Sequence, residues 1–309
     1  SLNAARKQRG TIEFDTSETV IEFTDDKRIK NIRPSVRNVA HMIIEECMIS
    51  ANVCAAKYIA KSKFPCLYRV HEDPTDEKIE DLRGFLSDLE LKLGAPSRKI
   101  SSSDYAELSE QIQGRDDYHV IQTLMLRSMK QAIYKAENSG HFGLSLTHYT
   151  HFTSPIRRYP DLDVHRKIKS VISKTKLIDQ NLDELAISCS HQERNSDKAS
   201  RFVQGWLSAL VARTHVREEF DGTVTSVVSF GCFVNIDAIN VEGLVHVTDL
   251  GGDYFYYDSV MGILVGERSG LQLYPGVGLR VEITKADIES GQINLKLSKQ
   301  GKRVGGRWK

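Results

Sequence analysis

From Phe220 onward the apolar residues recur at every second position rather than every third or fourth, and this change constrains the fold more than any other feature. FDGTVTSVVSFGCFVNI, VEGLVHVTDL, LRVEITKADI and QINLKLS each alternate apolar and polar side chains, with glycine at bends. A period of two is that of a strand with one buried face. The first run is long enough to fold back on itself, so residues 218–300 predict a small all-β domain of five strands. A sheet of that size removes its exposed edges by closing into a barrel. Phe230 and Phe233 flank Gly231 and Cys232, and His246 lies on the next run. Facing outward, such rings would stack on unpaired bases; facing inward they would be core, and the spacing admits both.

The first 217 residues read differently. TIEFDTSETVIEFTDDKRIKNI holds two short alternating runs, which predict strands. Over 37–59, Ala40, Ile43, Ile44, Cys47, Met48 and Ala51 recur at helical spacing and predict a helix that buries this stripe. Further helices are expected over 76–91, 103–113, 118–134 and 182–216, the last closing the first domain. GHFGLSLTHYTHF reads as extended and ends at Pro155. Pro160 and Asp161 suit the first turn of another helix, where proline's missing amide hydrogen is not needed and an acid complements the helix dipole. The whole is of the α+β class.

Composition narrows the chemistry. The formal net charge is +1, so the chain is no uniformly basic coat, yet Lys and Arg cluster at Arg6–Arg9, over 157–169 and in the tail KQGKRVGGRWK. Five scattered cysteines with no C-x-x-C pair read as reduced thiols of a cytoplasmic protein. The spacing of Cys47 and Cys54 suggests core packing rather than metal ligation. No run looks apolar enough to cross a membrane, and SLNAARKQRG lacks an apolar signal core.

The least generic stretch is HYTHFTSPIRRYPDLDVHR, His148 to Arg166. Arg157 and Arg158 follow a Ser-Pro turn, where a guanidinium can present its planar fork to phosphate oxygens. The alternative is that one of them pairs with Asp161 or Asp163 and only holds the helix. His148, His151 and His165 are read as packing and hydrogen-bonding residues rather than a metal cluster.

These motifs resemble known families. FDGTVTSVVSFGCFVNI with VEGLVHVTDL resembles the S1-type RNA-binding domain, an OB-fold barrel, through Gly222, Phe230, Gly231, Phe233, Gly243, Leu244 and His246. HFTSPIRRYPDLDVHR resembles the signature of the RNase II/RNase R (RNB) exoribonucleases. RNVAHMIIEECMISAN, LMLRSMKQAIY, HFGLSL and QERNSDKASRFVQGWL lie in the order that family shows. The aromatic insert GGDYFYYDSVMGILVGERSGLQLYPG, between the third and fourth barrel strands, is similar to that of the RNase R branch.

The resemblance implies processive 3′ to 5′ hydrolysis of single-stranded RNA to nucleoside 5′-monophosphates, with Mg²⁺ as the metal and a monomeric enzyme. It implies catalytic phosphate-binding roles for Arg157 and Arg158. It implies RNA contacts by Phe14 (stacking on the innermost bases), Glu45 (a ribose hydroxyl), Glu193 and Arg194 (the channel wall), and Phe230, Phe233 and His246 on the barrel. On pattern alone Phe14 is equally an inward strand residue. The family's metal site rests on an aspartate cluster, D-x-x-x-x-x-D-x-D-D, that this chain lacks; Asp116-Asp117 and Asp161-x-Asp163 read better as helix-start acids. The expected organisation is therefore a C-terminal RNB portion over 1–217, an S1 domain over 218–300 and a basic tail over 301–309, without metal ligands of its own. By itself it is expected to hydrolyse no RNA, as an inactive piece of the enzyme or as a non-catalytic RNA-binding module.

Overall fold

The computed structural model describes residues 2–14, 19–115, 117–175, 181–259 and 261–298. Asp116 and the basic tail lie outside them. In chain order the elements are α1 (Leu2–Arg9), β1 (Thr19–Phe23), β2 (Ile29–Pro34), α2 (Val39–Lys61), β3 (Tyr68–Val70), α3 (Asp76–Asp88), α4 (Ser102–Gln111), α5 (Tyr118–Ser128) and β4 (Ile133–Lys135). There follow α6 (Tyr159–Ser173), α7 (Leu182–Arg213), β5 (Glu219–Val228), β6 (Gly231–Ile236), β7 (Val241–His246), β8 (Phe255–Asp258), β9 (Ile263–Gly266), β10 (Gln272–Leu273), β11 (Gly278–Asp287) and β12 (Gln292–Leu297). They fall into two compact units, one of residues 1–14, 37–111 and 127–197, the other of residues 15–36, 112–126 and 198–309.

In the first unit α2 and α6 pack on the two-stranded sheet of β3 and β4, with Ala55, Ala56, Ile59, Cys66, Val70 and Val164 at the centre. Helix α2 starts at a capping box: the Asn38 side chain accepts from the His41 amide and His41 Nδ1 accepts from the Asn38 amide. Its buried face overturns the expected one. Ile43 and Ile44 are 57% and 60% exposed, and Cys47 and Cys54 are also exposed, whereas Glu46, Ile49, Asn52, Ala55, Ala56 and Ile59 are buried. The two buried polar residues find partners, Glu46 at Arg6 (2.7 Å) and Asn52 at Tyr149 (3.0 Å), and small alanines admit the neighbouring elements. By length and composition α2 also meets the requirement for a membrane span, contrary to the sequence reading. Its buried Glu46 and Asn52 bonds place that face inside the unit instead.

Three other expectations are corrected. The helix begun at Tyr118 ends at Ser128, because Ile133–Lys135 pairs antiparallel with β3 rather than continuing the helix. The segment read as extended after Gly140 is a 3₁₀ turn, Phe142–Leu144, with isolated bridges on either side. Leu2–Arg9 forms α1, whereas TIEF, read as a strand, forms no regular element.

In the second unit β5, β6, β7, β12 and β11 close a five-stranded barrel. Cys232, Val234 and Ile236 of β6 and Val241 and Val245 of β7 point into it. Gly231 sits where β6 crosses closest to β7: a Cβ there would lie 2.3 Å from the Val245 carbonyl oxygen. The aromatic insert forms its own antiparallel sheet of β8, β9 and β10.

Candidate active site

A cleft of about 320 Å³ opens in the first unit between α2 and the segment leading into α6. Its walls are His41, Ile44, Glu45, Met48, Ile49 and Asn52 on α2, and Tyr149, Thr153 and Arg158 opposite. Glu45 and Asn52 stand seven residues apart, two helical turns, so both face the cleft. Asn52 joins the two walls: its Nδ2 donates to the Tyr149 hydroxyl (3.0 Å) and its Oδ1 accepts from the Phe152 amide (2.9 Å).

The Ser-Pro turn places the neighbouring arginines in different surroundings. Asp161, fully buried in the first turn of α6, accepts at Oδ1 from the Ser154 amide (2.7 Å) and from Arg158 Nη2 (2.8 Å). That fixes Arg158 at the cleft wall, with its Nε buried and unbonded. Arg157 is exposed and does not line the cleft. Arg158 thus pairs with Asp161, as the alternative reading held, and lines the cleft as well.

Glu45 is already engaged. Its Oε1 accepts from Arg6 (3.0 Å) and its Oε2 from Arg37 (2.5 Å), while Arg6 also reaches Glu46 and Glu13. Glu193 accepts from Arg69 (2.6 Å), whose guanidinium lies 4.8 Å above the Tyr134 ring. Glu193, Arg194 and Phe14 are half-buried, and none lines the cleft.

Behind the wall lies a layer of edge-on rings: Tyr134 against His151, His151 against Tyr149, and Tyr149 against His141. Burial, and next the Arg158 and Arg69 charges, push His151 down to about 2; burial and the neighbouring His71 push His141 to about 3. Both are neutral, and His151 Nδ1 shares a 2.8 Å hydrogen bond with the Tyr134 hydroxyl. His165 stacks on Phe152 at 4.1 Å. Sequence reasoning assigned no role to His41, Asn52, Tyr149, Thr153, Arg6, Arg37 or Arg69, although Arg6 lies in a basic cluster, Tyr149 and Thr153 lie in the least generic stretch, and Asn52 stands at helical spacing from Glu45.

On the barrel, Phe233 and His246 lie on the outward face of β6 and β7, and Phe230 is 48% exposed at the turn between β5 and β6. The Phe230 carbonyl accepts from the Val247 amide (3.0 Å), which draws Phe230 and His246 together. The core alternative for these rings does not hold.

A cleft that sets one arginine and one glutamate among apolar side chains on a helix–strand unit, and a small barrel carrying outward rings on another, are compatible with nucleic-acid binding. Family models resolve it: the RNB domain matches residues 1–174 and the S1 RNA binding domain residues 215–298. The chain belongs to the RNB family. It is 42% identical to Ribonuclease R of Vibrio parahaemolyticus over 100% of this chain and 38% of that one. Against Ribonuclease R of Escherichia coli (strain K12) it is 42% identical over 96% of this chain and 38% of the other. The chain therefore spans 38% of the length of these relatives. Mycoplasma genitalium RNase R in complex with ribose methylated single-stranded RNA is 27% identical with a TM-score of 0.85, covering 96% of this chain and 48% of that one.

RNB nucleases are metal-dependent hydrolases, and the residues here do not fit a metal ion. Among the described residues no three of His, Cys, Asp and Glu gather as ligands. Near the cleft, Glu45 is held by two arginines and Asp161 by Arg158 and Ser154. Asp117, one of the helix-start acids, caps α5 and pairs with Arg115.

Proposed function

We propose that this chain is the phosphate-gripping and strand-binding part of a 3′ to 5′ exoribonuclease that hydrolyses single-stranded RNA to nucleoside 5′-monophosphates in the cytoplasm, as a monomer. The observation that carries this reading is Arg158, anchored through Nη2 to buried Asp161 while its side chain stays partly open at the cleft wall. A guanidinium fixed on one edge keeps its geometry when a phosphate meets the other, so it needs no reorganisation as charge develops. Mg²⁺ would be held by carboxylates outside this chain, and no step can be assigned to it from these residues. Glu45, with Arg6 and Arg37 behind it, would orient toward a ribose hydroxyl, and Phe230, Phe233 and His246 would hold the strand on the barrel.

The second reading, a non-catalytic RNA-binding module, is favoured by the lack of a ligand set among the described residues. One experiment separates the two. The 309-residue chain is expected to bind a 5′-labelled oligoadenylate and to cleave none of it with Mg²⁺ or Mn²⁺. Joined to an upstream segment bearing the family's aspartate cluster, it is expected to shorten the oligomer from the 3′ end. In that longer enzyme Arg158→Ala should cut the single-turnover rate by about a hundredfold or more, the scale of one lost transition-state donor, and Arg157→Ala far less. Inactivity of the joined enzyme would favour the binding module, and cleavage by the 309-residue chain would mean a metal site lies elsewhere in it.

A further inference from the structure

The second unit carries a trough of about 800 Å³ that the proposed chemistry does not use. Its floor is one face of the second half of α7, where Val203, Trp206, Leu207 and Leu210 follow each other at helical spacing. Its walls are the β1–β2 hairpin and the turn after β6 at Ala238 and Ile239. Three large apolar side chains are left open to solvent here: Phe23 at 51%, Val203 at 49% and Trp206 at 41%. A contiguous apolar patch of this kind on a folded surface marks an interaction site.

The hairpin supplies charge of one sign. Lys27, Arg28 and Lys30 line the trough, and no acidic side chain does; Asp25 and Asp26 of the same turn are not part of the lining. Among the described residues none of these three cations sits in an ion pair. The turn that presents them is closed by backbone bonds, the Thr24 amide to the Arg28 carbonyl (2.8 Å) and the Lys27 amide to the Thr24 carbonyl (2.9 Å). Cations held on a preformed rim beside an apolar floor complement an acidic, amphipathic ligand.

The lining also decides between peptide and nucleic acid. Strands of RNA are gripped on flat aromatic platforms, and the rings here, Phe23, Trp206 and His215, are outnumbered by aliphatic side chains. The remaining apolar lining is chiefly branched aliphatic, suited to interdigitating with leucine-like side chains rather than stacking on bases. The volume lies within the about 300–1,000 Å³ typical of ligand clefts. We propose that this trough docks an amphipathic helix of another protein, its apolar residues against α7 and its acidic residues against Lys27, Arg28 and Lys30.

The chain has two tryptophans, Trp206 in the trough and Trp308 in the tail. In a Trp308→Phe background the fluorescence of the full chain therefore reports on the trough alone. The probe is a synthetic helix-forming peptide of about 15 residues with leucine along one face and glutamate flanking it. Its control is a scrambled peptide of the same composition. The amphipathic peptide is expected to shift Trp206 emission to the blue saturably, while the scrambled one does not. Charge reversal at exposed Lys27, Arg28 and Lys30 should weaken binding by about tenfold or more and invert its salt dependence, so that added salt strengthens what binding is left. Val203→Asp, which places an acid on the floor without altering the rim, should abolish the shift while circular dichroism stays that of the parent chain. Equal binding of both peptides, no spectral shift, or an unchanged affinity after charge reversal would each overturn the proposal. So would displacement of the peptide by oligouridylate together with a direct response of Trp206 to that RNA, since the trough would then be a strand-binding site.

Discussion

Arg157 and Arg158 are adjacent in the chain and differ in every physical respect that matters here. Arg158 is tied to buried Asp161 and lines the cleft; Arg157 is exposed. The sequence shows the pair but not the rotation of the Ser-Pro turn that separates them, because the turn is set by the Ser154 amide reaching a carboxylate seven residues later. His151 and His165 show the opposite case, since reading them as packing groups needed only their aromatic neighbours. Their burial has a consequence for stability. His151 is held near 2, below the about 6.5 of a histidine in an unfolded chain. On acidification the unfolded state therefore takes up the proton first, so the stability present above about pH 6.5 is lost as pH falls toward the folded value. The loss is about 1.4 kcal/mol per pH unit for such a group. His151→Gln keeps a partner for the Tyr134 hydroxyl and removes the titration. Urea unfolding between about pH 7 and 5 is expected to show a shallower decline for the variant than for the parent, and equal declines would mean that His151 is protonated in the fold.

At the scale of elements, the barrel was legible and the buried face of α2 was not. Alternation along β6 separates Cys232, Val234 and Ile236 from Phe233, and strict period two leaves each residue only one of two faces. A helix offers a continuum of faces, and α2 carries apolar residues on both, Ile43, Ile44 and Cys47 exposed and Ile49 and Ile59 buried. What selects the buried face is polar pairing with residues far off in sequence, Arg6 for Glu46 and Tyr149 with Phe152 for Asn52, which no local pattern reveals. Asn52→Ala tests this. It removes both bonds between α2 and the segment before α6 and leaves a buried amide unpaired, which should cost about 2–3 kcal/mol in denaturant unfolding. A cost near that of a surface substitution would mean that apolar contacts alone hold the two walls together.

For the molecule as a whole, a net charge of +1 means that the proposed RNA affinity must come from local arrangements. The two kinds of contact carry different physical signatures. A phosphate contact releases counterions, so removing one flattens the dependence of log affinity on log salt by about 0.7 for a single strand. A stacking contact releases none and contributes about 1–3 kcal/mol per base at any salt. Phe233 and His246, outward on the barrel, should therefore act through the intercept, and Arg158, at the cleft wall, through the slope. With the 309-residue chain and a labelled oligouridylate titrated at several salt concentrations, Phe233→Ala is expected to lower affinity about tenfold with parallel salt lines. Arg158→Ala should give a shallower line that meets the parent's at high salt. A changed slope for Phe233→Ala would mean the ring only props up a neighbouring cation. A parallel line for Arg158→Ala would place that guanidinium outside phosphate contact in the bound state.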